Sequence, residues 1–275
     1  MTQPEPLQAA LALAQELQGL TDGAANEKAA ELVQLLTKAL EPVEESDFTL
    51  GKFVSVMVHE IRKPMTSIRG YADMMDKRLV GELNDMQGQF IATIRRNVIS
   101  MEKLVSDLSD FTKMRTGRIK AENKMDMAKN ILLAVEKETK ELAAEQKHEL
   151  VFEIPDGLPI LNLDGNRAKQ ALVKLVENAI KYTPEGGHII VRARPAEGGL
   201  EIIVKDNGVG MTPEEVERLG ELWFRGDDEL VTSTKGYGLG IPIVFECMRL
   251  AGGRLFYESE KGTGSTFGIF LPGMS

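Results

Sequence analysis

Two long amphipathic stretches lie between residues 45 and 116. In the first, apolar residues follow one another at alternating steps of three and four, as on one face of a helix. The second series follows an interruption at residues 81–85. Two helices with one apolar face each cannot close a core alone, so the pattern predicts a hairpin that pairs with a second copy as a four-helix bundle. The series are Val54, Met57, Ile61, Met65, Ile68, Ala72, Met75 and Leu79, then Ile91, Ile94, Val98, Met101, Val105 and Leu108.

The regions on either side follow different patterns. Residues 1–44 carry two short apolar stripes at helical spacing, separated by the break TDGAAN at 21–26. From residue 117 glycine becomes frequent and the period changes. Thr212, Pro213 and Glu215 form a capping box with proline at the first helical position. The predicted strands are 148–154, 188–193, 201–205, 254–259 and 266–271, and the predicted helices are 166–181, 212–219 and 241–250.

These patterns predict three regions: a helical region at 1–44, a dimerising hairpin at 45–116 and an α/β layer at 117–275. The composition is that of a globular protein, with 43% hydrophobic and 27% charged residues. A formal net charge of −9 argues against indiscriminate binding to nucleic acid or to an anionic membrane.

The cysteine count and the hydropathy narrow the class further. The single cysteine, Cys247, excludes an internal disulfide and a multi-cysteine zinc site, and it suits a reducing compartment. No apolar run approaches the roughly 18 residues of a membrane helix, and the start MTQPEPLQ has no basic n-region. The expectation is therefore a cytoplasmic protein without membrane insertion.

One histidine lies away from the apolar face of the first helix. His59 is about 200° around the helix from Met57 and from Ile61, which places it toward solvent. Pro64 follows in mid-helix, where it removes the hydrogen bond to the carbonyl of Glu60 and predicts a kink. A kink one turn after an exposed histidine indicates a functional site.

The segment HEIRKPMTSI, which begins at His59, resembles the H-box of HisKA-type sensor histidine kinases. In that family the histidine accepts a phosphoryl group. The chemistry is suitable, because imidazole is largely neutral at cytoplasmic pH and a ring nitrogen can then attack phosphorus. Glu60 is placed to accept a hydrogen bond from the other ring N–H.

Five segments of the third region occur in a characteristic order: ENAIKYTP, DNGVGM, WFRG, GYGLG and GTGSTF. Each alone is a weak signal, since glycine clusters are usually turns. In series they resemble the N, G1, F, G2 and terminal G boxes of the GHKL (Bergerat) ATP-binding fold. Together with the H-box, the resemblance covers about residues 45–275. The expected fold class is therefore an all-α dimerisation hairpin followed by a GHKL α/β sandwich.

The resemblance implies a role for each matching residue. His59 is phosphorylated with help from Glu60, and Asn178 holds Mg²⁺. Lys181 contacts phosphate, and Asp206 accepts a hydrogen bond from the adenine amine. Phe224 and Arg225 couple a flexible segment over the pocket to the hairpin, with Arg225 reaching toward the terminal phosphate. The remaining ATP-binding positions are Tyr182, Gly208, Gly210, Gly236, Gly238, Leu239, Gly240 and Thr266.

Two lysines depart from the family pattern. Lys174 stands where the family has a first Asn that assists the metal, so it either weakens Mg²⁺ binding or turns onto the phosphates. Glu177 is either a compensating ligand or salt-bridge partner, or a solvated helix residue. Lys63 stands four residues after His59, where many relatives place Thr or Asn to position a water that dephosphorylates the response regulator. A charged ammonium has no lone pair, so weak phosphatase activity is expected.

The resulting prediction is a homodimeric protein-histidine kinase that passes its phosphoryl group to an Asp of a response-regulator receiver domain. The main alternative is a nucleotide-binding pseudokinase scaffold of the same fold, which Lys174 motivates. A gyrase-like or chaperone-like ATPase is disfavoured by the H-box, and a pure coiled-coil protein leaves the glycine motifs unexplained. Residues 1–44 either dock a separate sensor protein or transmit a partner's state into the hairpin.

Overall fold

The hairpin consists of two 31-residue helices, α1 (Ser46–Asp76) and α2 (Asp85–Arg115). The computed structural model describes residues 46–273, with side chains described from residue 51. Helix α1 continues through Pro64. A capping box starts α2: Gln87 N–H donates to the Asn84 side chain at 2.9 Å, and Asn84 N–H donates to the Gln87 side chain at 3.0 Å. The cap satisfies two backbone donors that the first turn would leave unpaired.

The apolar residues of the hairpin divide into a buried row and an exposed row. Val58 and Met65 of α1 pack against Val98 and Val105 of α2, with Val54 beside them. Val54 and Met65 belong to the predicted series, whereas Val58 is buried in place of the predicted Met57.

The exposed row includes Met57, Ile61 and Ile68, which are 42–44% exposed. An apolar row left outside the hairpin core is the surface that a second hairpin would cover.

The α/β domain contains two sheets and three long helices. Its elements are β1 (Lys124–Met127), α3 (Ala128–Glu145), β2 (Glu149–Glu153), β3 (Ile160–Leu163), α4 (Gly165–Tyr182), β4 (His188–Ala196), β5 (Gly199–Asp206), α5 (Pro213–Glu217), α6 (Glu229–Ser233), α7 (Gly240–Ala251), β6 (Arg254–Glu260) and β7 (Gly264–Pro272). The main sheet has the order β2-β4-β5-β7-β6, and β1 pairs with β3 in a small antiparallel sheet. Only β2 and β4 pair in parallel within the main sheet.

The core of this domain lies between the main sheet and helices α3, α4 and α7. Alternate residues of the central strands enter it, including Ile189, Leu200, Ile202 and Ile269. Met114, in the last turn of α2, is fully buried in the same core. Its sulfur lies 3.9 Å from the thiol of the buried Cys247, and burial raises the pKa of that thiol to about 12.

The predicted fold class is confirmed: a helical hairpin precedes an α/β sheet domain. The predicted strands and the predicted helices 166–181 and 241–250 are present within two or three residues. The helix predicted at 212–219 ends earlier, at Glu217, although its capping box on Thr212 is present.

The sequence analysis missed β1, α3, β3 and α6. Three of these elements are only four or five residues long, too short for a periodic signal. The helices expected within residues 1–44 lie outside the described residues. Among the helices of residues 46–273, none is long and apolar enough to span a bilayer.

Candidate functional site

A cavity of about 300 Å³ opens between α4, the end of β5 and the chain from Val209 to Pro242. Eleven of the residues assigned to ATP binding from the sequence line it, and the assigned Gly208 does not. The eleven are Asn178, Lys181, Tyr182, Asp206, Gly210, Phe224, Arg225, Gly236, Gly238, Leu239 and Gly240. Four segments distant in sequence therefore line one cavity.

Asp206 is the last residue of β5, and it lines the cavity. Its Oδ1 accepts hydrogen bonds from Gly208 N–H at 2.9 Å and from Ser265 N–H at 3.1 Å. Burial raises the pKa of Asp206 to about 6, although these two N–H donors favour the charged form and oppose the shift. Because both bonds go to Oδ1, Oδ2 remains to accept a hydrogen bond from a ligand amine.

The glycine motifs let the backbone approach where a side chain would not fit. Gly210 has a φ of +59°, and a Cβ there would lie 1.9 Å from the carbonyl oxygen of Glu260. Gly238 has a φ of +66°, and its Cβ would lie 2.5 Å from the backbone carbon of Trp223. Both positions thus require glycine for space as well as for conformation.

Asn178, Lys181 and Tyr182 lie in the last two turns of α4, a helix capped by the Asp164 carboxylate. A Cβ on Gly240, the first residue of α7, would lie 3.3 Å from Asn178 Oδ1. The Asn178 amide therefore faces the start of α7, where free N–H groups and the helix dipole favour an anion. Burial lowers the pKa of the Lys181 ammonium, and the nearby positive charges add to that effect while Glu177 opposes it.

Arg225 organises the segment that covers the cavity. Its guanidinium donates to the carbonyls of Thr234 at 2.6 Å and of Gly236 at 3.2 Å, and also to that of Val231. Arg218 lies over the ring of the neighbouring Phe224, 4.2 Å from its centroid. Arg225 therefore holds the covering segment together through three backbone carbonyls.

Helix α2 contributes residues that the sequence analysis did not identify. Ser100, Lys103 and Asp107 line the cavity. Lys174 Nζ lies 2.7 Å from both carboxylate oxygens of Asp107, so the ammonium on α4 is paired with helix α2 of the hairpin. Lys103 Nζ lies 2.6 Å from Glu177 Oε1. No local signal marks such contacts, because the paired residues are about 70 positions apart.

Glu177 is a paired residue, and the alternative of a solvated side chain is wrong, since it is 9% exposed. Burial alone would raise the pKa of Glu177, but the hydrogen bond from Lys103 and the charges of Lys103, Lys174 and Lys181 hold it below its ordinary value. The carboxylate is therefore ionised near neutral pH.

His59 and Glu60 lie on α1, both exposed to solvent and outside the cavity lining. Glu60 accepts a hydrogen bond from Lys63 Nζ at 2.7 Å, and that bond lowers the pKa of the Glu60 carboxyl.

Thr266 does not line the cavity, which corrects its assignment to the ATP site. Its neighbours Ser265 and Phe267 line it, and alternation along β7 turns Thr266 to the other face of the sheet.

The donor atoms near Asn178 fit one kind of metal site. Within residues 46–273 no cluster of three or more His, Cys, Asp or Glu side chains could hold a metal ion by itself. Mg²⁺ in nucleotide sites commonly takes one or two protein oxygens, phosphate oxygens and waters. The Asn178 amide oxygen beside the start of α7 fits that pattern, whereas an all-protein metal site does not.

Two family models match the chain in succession. Residues 49–117 match the His Kinase A (phospho-acceptor) domain, and residues 163–274 match the histidine kinase-, DNA gyrase B- and HSP90-like ATPase family. Histidine protein kinase DivJ of Caulobacter vibrioides is 32% identical over 81% of this chain and 37% of its own length. Phosphate regulon sensor protein PhoR of Pseudomonas aeruginosa is 30% identical over 85% of this chain and 52% of its own length. The chain thus spans about a third to a half of these relatives.

Two solved structures share the fold. Full-length ShkA in complex with AMPPNP has a TM-score of 0.68 at 24% identity, covering 82% of this chain and 47% of that one. The Acinetobacter baumannii histidine kinase AdeS has a TM-score of 0.56 at 18% identity, covering 79% of this chain and 98% of that one. At these identities the similarity concerns the fold alone.

Proposed function

The chain belongs to the family of HisKA-type sensor histidine kinases with a GHKL domain, and on this premise we propose that it is an ATP-dependent protein-histidine kinase of a two-component system. One observation carries the proposal. Asn178, Asp206 and the glycine-rich start of α7 line a single cavity, while His59 is exposed on the hairpin. A buried nucleotide site and an accessible acceptor are what phosphoryl transfer between two domains requires.

The nucleotide is held at both ends of the cavity. The free Oδ2 of Asp206 accepts a hydrogen bond from the exocyclic amine of adenine, and Tyr182 offers a flat apolar face to the base. The phosphates lie at the start of α7, within reach of the Lys181 ammonium. Asn178 would hold Mg²⁺, and the ion would supply neutralising charge to the phosphates.

In the transfer step an imidazole nitrogen of His59 attacks the γ-phosphorus. The bond from that phosphorus to the β–γ bridging oxygen breaks, and ADP leaves with the electron pair. The Glu60 carboxylate accepts a hydrogen bond from the other ring N–H and so fixes the tautomer that can attack. Lys63 occupies only Oε1 of Glu60, so Oε2 remains to accept the hydrogen bond from the imidazole.

The active form in this proposal is a homodimer in which the exposed apolar row of α1 is covered by a second hairpin. The phosphoryl group then passes to an Asp of a receiver domain. Phosphatase activity is weak, since the Lys63 ammonium cannot orient a water as a Thr hydroxyl or an Asn amide would. Residues 1–44 receive the signal, from a separate sensor protein or from a partner's state. In this proposal the protein acts in the cytoplasm.

The test is incubation of the purified chain with γ-labelled ATP and Mg²⁺, beside the variant His59→Gln. We expect acid-labile, alkali-stable label on the parent protein and none on the variant. His188→Gln is the matched control, because His188 is exposed on β4 and pairs only with Glu149 among described residues.

Label that persists in His59→Gln would contradict the assignment of the acceptor. Binding of ATP without any label would favour the pseudokinase alternative, and Lys174→Asn would then be the variant to restore the family's metal ligand. An absence of ATP binding would contradict the nucleotide site itself.

A further inference from the structure

Two ion pairs join α2 to α4 beside the nucleotide cavity, and we call them the α2–α4 ion pairs. They are Asp107–Lys174 and Lys103–Glu177. Lys103 and Asp107 lie one turn apart on α2, and their partners lie about one turn apart on α4. The two pairs have opposite polarity. Sliding one helix past the other by a turn would bring like charges together, so the pairs fix the register of the two helices.

Two of these four residues stand directly beside the proposed metal ligand. Glu177 precedes Asn178, and Lys174 lies one turn before it on the same helix. Both are 9% exposed. While the pairs are intact, a carboxylate oxygen of Glu177 is occupied by Lys103, and the charge of Lys174 is neutralised by Asp107.

The bound Mg²⁺–phosphate group would present both of the charges that α2 now supplies. Mg²⁺ attracts the Glu177 carboxylate, and the phosphates attract the Lys174 ammonium. A Mg²⁺ ion drawn to Glu177 would lie next to the Lys103 ammonium. A phosphate drawn to Lys174 would lie next to the Asp107 carboxylate. Each of these like-charge contacts is unfavourable, because Glu177 and Lys174 have little exposure to screening water. Binding at α2 and binding of the metal–nucleotide complex therefore compete.

Resting on the proposed nucleotide site, we propose that Lys103 and Asp107 are positioning residues that oppose Mg²⁺·ATP binding by holding Glu177 and Lys174 against α2. Only molecules in which the pairs are open bind Mg²⁺·ATP with the intrinsic affinity. The measured affinity is therefore the intrinsic affinity multiplied by the fraction of molecules with open pairs. By reciprocity, Mg²⁺·ATP loosens the contact between α2 and α4. Any movement of the hairpin that separates these helices raises the affinity for the nucleotide, so the lysine at 174 connects the state of the hairpin to ATP loading.

The test is the double variant Lys103→Gln/Asp107→Asn in the full chain. It removes one positive and one negative charge, so the net charge near the cavity is unchanged. We would measure the dissociation constant for ATP by titration calorimetry, once with Mg²⁺ and once with EDTA. We expect affinity with Mg²⁺ to tighten by roughly five-fold or more, within the usual coupling range of about 5- to 150-fold. With EDTA the gain should be smaller, because no metal competes for Glu177.

Two controls isolate the effect. Arg69→Gln/Glu102→Gln also removes an ion pair with a 2.6 Å contact, but that pair joins α1 to α2 within the hairpin. It should leave ATP affinity unchanged. Lys103→Arg keeps the positive charge and should keep the parent affinity. Circular dichroism verifies that each variant is folded.

The outcomes separate this inference from the proposed function. If the parent chain fails to bind ATP, the proposed function fails. If the parent binds ATP and the double variant binds Mg²⁺·ATP equally well or more weakly, the competition is refuted. A weaker variant would instead show that α2 supports the nucleotide site.

Discussion

Replacing Asp206 by Asn should make the fold more stable and nucleotide binding weaker. The Asp206 carboxyl is 8% exposed, and its pKa is raised from 3.8 to about 6, mainly by burial. The ionised Asp206 side chain therefore lowers the free energy of unfolding. The amide of Asn is nearly isosteric, and its oxygen can still accept the N–H groups of Gly208 and Ser265.

The size of the effect follows from the two pKa values. At pH 7 the carboxylate is ionised in the folded and the unfolded chain, so the rise from 3.8 to about 6 costs about 3 kcal/mol at 1.36 kcal/mol per pKa unit. This is an upper figure, since the new NH₂ group must find water in the cavity. We expect Asp206→Asn to raise the free energy of unfolding by about 1–3 kcal/mol at pH 7.

The sign of the pH dependence provides the decisive comparison. A carboxyl with a raised pKa destabilises the fold above that pKa, and the penalty fades as the pH falls through about 6 toward 3.8. The advantage of the variant should therefore drop to roughly half at pH 5. Urea unfolding followed by circular dichroism and by fluorescence of Trp223, the single tryptophan, measures it at both pH values.

A matched control and a binding assay complete this prediction. Asp156→Asn removes the same charge from a side chain that is 96% exposed, and it should change stability little. ATP affinity of Asp206→Asn should fall by about 10- to 150-fold, the value of a hydrogen bond to a charged group. A variant that is no more stable at pH 7, or whose advantage is the same at pH 5, would refute the buried-charge reasoning.

Two further substitutions test other parts of the molecule. Gly238→Ala forces a side chain to a positive φ and into the backbone of Trp223, so we expect calorimetry to show no ATP binding. Gly262→Ala is the control, at a φ of +80° with open space around it, and it should retain ATP binding. Equal binding by both variants would contradict the steric argument. Lys63→Thr should gain the ability to release phosphate from a phosphorylated receiver domain, measured as free phosphate over time, and a variant without that gain would contradict the explanation from Lys63.

The sequence determined the features that have a local signature. Repeated apolar spacing identified both hairpin helices, because a helix that packs along its length must repeat its contacts every three to four residues. The ordered motifs from ENAIKYTP to GTGSTF identified the cavity, because Gly210 and Gly238 are positions that no other residue type fits. The capping box at Thr212 predicted a helix start, because its two residues, Thr212 and Glu215, are only three positions apart in the sequence.

Which distant side chains meet depends on how the elements pack in three dimensions. Lys174 stood out from the sequence as a departure, but its partner Asp107 lies 67 positions away on another helix. Thr266 was misplaced because a motif marks a segment without marking which face of the strand each side chain takes. On α1, Val58 packs against α2 where the apolar spacing predicted Met57. Contacts between elements depend on packing geometry. The sequence around a charged residue on a helix surface does not indicate which charged residue of another element it will contact.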